Sequence, residues 1–187
     1  MPVDPAYQTV PPDDFASMIE PARYGRRSSL FEEIIARTEE HFWNPEDRDY
    51  IDFATPWSAD EPILPPSFVI EYHTAAWDRL DEGQRIGFVN DTARWLACNL
   101  LHGEQGALSL SANLCDIFLD PGAQEYAANQ VREEARHVHA FTRYIEARFD
   151  GAVYPVGDTI GALLGEFITT PVVYKKIVGM QMDRLTS

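Results

Sequence analysis

From Glu82 to Phe149 apolar residues recur at three- and four-residue intervals, interrupted only at Asp120-Pro121-Gly122. That period predicts two long helices, about Glu82 to Leu119 and then to about Phe149, joined by a tight turn and therefore antiparallel. A shorter helix is predicted from Ser29, a candidate N-cap with Glu32 three residues on, through Leu30, Ile34, Ile35, Thr38 and Phe42 to Trp43. Asn44 to Pro66 carries five prolines and reads as an ordered loop anchored by Tyr50, Phe53 and Trp57. A short helix from Ser67 to Leu80 follows. Beyond a loop at Gly151 to Gly157, Asp158 or Thr159 starts a helix through Thr170, and after Pro171 a last helical piece covers Val172 to Leu185. Residues 1–27, rich in proline, form an arm expected to pack on a neighbour or fray, and residues 28–187 form one domain. Phe68-Val69-Ile70 and Ala152-Val153-Tyr154 are too short to count as strands. The fold class is all-α.

The 187 residues, 45% of them hydrophobic, suffice for one domain with a sizeable core. The formal net charge of -15 repels a phosphate backbone and an anionic lipid surface, so neither nucleic acid nor a membrane is expected as a partner. No apolar run is long enough to span a bilayer and no leader pattern opens the chain, which predicts a soluble, cytoplasmic protein. Cys98 and Cys115 fall on one predicted helix roughly 25 Å apart at 1.5 Å per residue. They cannot pair there, and read as core thiols.

Candidate chemistry sits in the two long helices. Glu104 occupies the middle of an apolar stripe, Ala97, Leu100, Leu101, Ala107, Leu108 and Ser111. Glu134 and His137 are spaced i, i+3 and share a face with Val131, Val138, Phe141 and Ile145. Glu104 lies sixteen residues before Asp120 and Glu134 fourteen after it, so both carboxylates arrive at one level of the hairpin. Buried carboxylates need a counter-charge, and two glutamates with a histidine suit iron or manganese. The alternative use of the same residues is a buried Glu-His or Glu-Arg network that holds the hairpin together. His102 and His139 fall on the opposite sides of their helices, and His41 and His73 have no supporting context.

Glu133-Glu134-Ala135-Arg136-His137, with Glu104 upstream, resembles the acid-Glu-x-Arg-His motif of ferritin-like di-iron carboxylate proteins, in particular bacterial multicomponent monooxygenase hydroxylases and ribonucleotide reductase small subunits. The resemblance covers about Asp81 to Phe149. It implies a ferritin-like helical bundle and a centre of two irons, or manganese and iron. Glu104 and His137 would be terminal ligands and Glu134 a bridge, while Glu133 and Arg136 would orient the ligands by pairing with charged groups on another helix. It also implies an oxygen-activating oxidase or oxygenase that uses dioxygen and a small organic substrate. Such proteins add a third glutamate and a second Glu-x-x-His, and no second Glu-x-x-His lies between His137 and Ser187. Glu166 is the candidate third glutamate and Asp183 a lesser one. Phe141 stands where a radical tyrosine is often found. The sequence therefore predicts half of a ligand set, completed by dimerisation of a half-bundle, by a second subunit, or by the rest of a longer protein. A non-catalytic metal-binding or assembly subunit, or a truncated remnant, is the alternative to an enzyme.

Overall fold

A computed structural model describes residues 5–183, and among them the regular structure is helical, with a single isolated bridge between Thr9 and Phe118. Three short helices come first: α1 (Phe15–Met18), α2 (Pro21–Tyr24) and α3 (Glu32–Glu40). The hairpin is α4 (Glu82–Ile117) and α5 (Pro121–Phe149), followed by α6 (Asp158–Thr169) and α7 (Val173–Asp183). Residues 184 and 185 of the expected last helix, and the first four of the arm, lie outside the described residues.

Capping explains the hairpin. Asp81 accepts from the Gln84 amide at 2.8 Å while the Gln84 side chain accepts from the Asp81 amide at 3.0 Å, which closes both ends of a capping box at the start of α4. Asp120 caps α5 through the Gly122 amide at 3.0 Å with Pro121 in the first turn. The arm folds back onto this same turn. Val10 donates to the Ile117 carbonyl and Leu119 to that of Gln8, each at 2.9 Å, and the Ser28 amide donates to Asp120 at 2.9 Å. Gly122 is required there: a Cβ would run into the Ser28 carbonyl oxygen.

Two expected helices differ. Between Ser67 and Leu80 the chain makes three separate 3-10 turns, Pro66–Phe68, Ile70–His73 and Trp77–Arg79. Val69 and Trp77 are the buried residues of this stretch and pack with Val89, an anchoring that a continuous helix starting after two prolines does not need. α3 stops at Glu40, short of the predicted Trp43, because Phe42 and Trp43 turn away toward α5.

α6 and α7 pack on α4, and α3 on α5. Gly106 admits α6, since a Cβ would stand 2.5 Å from a Leu164 methyl. The core divides along the hairpin. Leu110, Leu114, Ile117, Tyr126, Ala127 and Val173 fill the end near the turn, and Ala97, Cys98 and Ile145 the other end. Glu104 and Glu134 lie between these two apolar blocks. The chain exposes 11489 Å², against about 9,100 Å² for a compact monomer of its mass, and Trp95 and Leu96 on α4, Leu163 on α6 and Tyr174 and Val178 on α7 are among its exposed apolar side chains.

Candidate metal centre

Glu104 comes from the middle of α4 and Glu134 and His137 from the middle of α5, held at one level by the register of the turn. His137 Nδ1 lies 3.1 Å from Glu104 Oε2 and 3.0 Å from Glu134 Oε2. Each of the three offers one ligand-type atom, and all lie within 4.8 Å of one another. The two carboxylates are 14% and 10% exposed and the imidazole 39%. Neighbouring donors at bond lengths of about 2.1 Å and right angles stand about 3.0 Å apart, so the oxygen-to-nitrogen spacings suit adjacent positions on one first-row ion.

Without metal the group holds protons tightly. The hydrogen bonds to Glu104 and Glu134 push the His137 imidazole up to about 10, making it an imidazolium at neutral pH. Burial, with a further contribution from Glu104 beside it, pushes the Glu134 carboxyl up despite the His137 hydrogen bond. Both shifts have one origin: two carboxylates crowded out of water need cations, and protons serve when nothing else does.

Glu133 and Arg136 are nearly buried, and among the described residues they pair within α5 and not, as expected, with charges on another helix. Arg136 Nη2 bonds Glu133 Oε1 at 2.7 Å within α5, where i, i+3 spacing already brings them together. Arg136 instead leaves its helix through Nη1, which donates to the Trp43 carbonyl at 3.3 Å, and its guanidinium lies 4.6 Å from the Phe42 ring centre. Trp43 in turn stacks on the His137 imidazole, with centroids 5.6 Å apart and planes 22° apart. Sequence reasoning missed this residue, because no local pattern links positions 43 and 137.

The candidate third glutamate is not part of the cluster. Glu166 is exposed and pairs with Lys175 at 2.6 Å, which holds its carboxyl below the usual range. Its helix returns beside α4, but Leu164 takes the inward position. The side chain of Asp183 lies outside the described residues. The remaining histidines are engaged elsewhere. His102 Nε2 meets the Tyr154 carbonyl at 2.8 Å and His139 meets Glu46 at 2.5 Å. His41 bonds the Arg37 carbonyl and His73 contacts the Tyr72 ring edge-on. Cys98 and Cys115 are free thiols, the first fully buried. Lys176, also unanticipated, is a buried ammonium that donates to the Ile168 and Phe167 carbonyls at the end of α6 and to Asn113 on α4.

Comparison with protein-family models, curated proteins and solved structures returns no match. No helix among the described residues is long and apolar enough to cross a membrane. The three converging side chains are thus the feature of this chain that bears on function.

Proposed function

We propose that the chain is a metal-carboxylate protein in which Glu104, Glu134 and His137 hold iron, or a manganese-iron pair, for a dioxygen-dependent oxidation of a small organic substrate. One observation carries the reading: three ligand-type atoms within 4.8 Å, drawn from the centres of two facing helices. A purely structural ion cluster is the poorer use of these residues. Well-packed apolar side chains join helices at least as firmly as buried charges do, and apolar blocks already occupy both sides of this level. When bound, iron or manganese supplies the one-electron redox chemistry that carboxylate and imidazole lack. The chain's own part is to place two anionic oxygens beside a nitrogen that must release its proton from Nδ1 to bind, and to keep this group between apolar layers.

Three donors make half of a two-ion, ferritin-like centre. A second copy would supply two further glutamates and a histidine across a two-fold axis, and a different subunit could do the same. The exposed Trp95 and Leu96 on α4 support such a partner. A second reading, a metal-binding or assembly subunit without catalysis, is favoured by the number of donors: among the described residues only these three converge.

Metal content and sedimentation separate the two readings. Protein loaded anaerobically with iron should retain about one ion per chain as a dimer if two chains share a complete centre. An assembly subunit should stay monomeric and hold far less. Equal retention by wild type and Glu134→Ala would remove the metal reading altogether.

A further inference from the structure

We infer that Trp43 is a positioning residue that holds the His137 ring in the plane in which Nδ1 faces Glu104 and Glu134. The inference rests on the metal reading above and adds to it the element that orients the histidine. A metal-binding histidine is ordinarily oriented by a hydrogen bond from its second nitrogen to a carboxylate or carbonyl. Here both hydrogen bonds of the His137 ring, to Glu104 and to Glu134, use Nδ1, the nitrogen on the metal side. None of the hydrogen bonds described engages Nε2, and the side chain is 39% exposed. When the Nδ1 proton is released, as metal binding requires, both of these bonds are lost, and the ring can turn about its χ2 bond until an ion pins it. Stacking is what remains to oppose that rotation.

The indole can do this because it is itself fastened. Its backbone carbonyl accepts from Arg136, the residue next to His137 on α5, so the motif's arginine holds the ring that holds the motif's histidine. Tyr50 stacks on the same indole at 5.9 Å and 24°. Between and beyond these points the segment is tied to α5 by Glu46 with His139, and by the Phe53 and Thr55 carbonyls with Arg148 at 3.3 and 3.1 Å. A strap anchored along α5 thus presents one flat face to the imidazole. An aromatic pair in this geometry favours the stacked orientation of the ring by about fivefold.

The test uses the full chain with Zn²⁺ alone, which is diamagnetic and takes the same oxygen and nitrogen donors. Trp43→Leu keeps an apolar side chain and removes the ring, whereas Trp43→Phe keeps a ring. Long-range ¹H–¹⁵N spectra of the histidines report which nitrogen carries the metal, and calorimetry gives the affinity. Wild type should bind through Nδ1 only. Trp43→Phe should stay within about twofold of it, and Trp43→Leu should lose about fivefold, with the His137 signals divided between Nδ1- and Nε2-bound forms. Wild-type affinity and a pure Nδ1 spectrum in Trp43→Leu would overturn the inference, as would equal losses in the leucine and phenylalanine variants. Wild type that takes up no Zn²⁺ would overturn the metal reading itself, an outcome visible before any variant is compared.

Discussion

Replacing His137 with alanine in metal-free protein isolates the charge problem at the centre of the hairpin. The variant leaves Glu104 and Glu134, 14% and 10% exposed, without the imidazolium that both bond at about 3 Å. Removing one partner of a fully buried pair costs about 3–5 kcal/mol; because the imidazole is 39% exposed, solvent screens part of this, and about 2 kcal/mol is expected near pH 7.5. For a chain of this length that corresponds to a fall in Tm of about 4–8 °C. The pH dependence gives the sharper signature. The folded-state pKa of His137, about 10, lies above its unfolded value, so its stabilisation is complete below about pH 6.5 and is lost as pH rises through about 10. In the variant the raised Glu134 carboxyl takes up a proton on acidification and relieves its own burial. The stability gap between wild type and variant should therefore be widest near neutrality and narrow in both directions. Urea unfolding with chelator present, at about pH 5, 7.5 and 10.5, measures it. A variant within about 0.5 kcal/mol of wild type at all three values would show that the carboxylates are solvated and that the cluster is not electrostatically coupled.

Gly122→Ala should destabilise the chain by about 1–3 kcal/mol in thermal or urea unfolding, although alanine alone would favour the helix by about 1 kcal/mol. The added methyl must displace the Ser28 carbonyl, whose own amide is tied to Asp120, and a stabilised variant would mean that the arm does not dock on the turn. Metal affinity should rise about tenfold for each pH unit between about 7 and 10, because the ion displaces the Nδ1 proton of His137. Calorimetry in buffers of different ionisation enthalpy should give about one proton released per ion at neutral pH, and no release would exclude His137 as a ligand.

The long hairpin was legible in the sequence because its determinants are local: a helical period and an Asp-Pro-Gly break. Counting residues from that break was enough to place Glu104 level with Glu134 and His137, since rise per residue is fixed once both segments are helical. Other features depended on where the chain goes next. The stretch from Ser67 to Leu80 has helical composition, but the burial of Val69 and Trp77 against Val89 is a long-range demand, and it divides the segment into 3-10 turns. Glu166 stood at a suitable position along its helix and still faces solvent, because rotation about the helix axis is set by Leu164 seating against Gly106, not by its own spacing. Arg136 could be recognised beside the site but its partner could not. That partner is a backbone carbonyl at Trp43, ninety-three positions away, and carbonyls leave no mark in a sequence. Periodicity thus fixed which residues share a face of one helix, while the tertiary packing alone decided which segment covers that face, because side-chain contacts between distant segments arise from the shape of the whole fold.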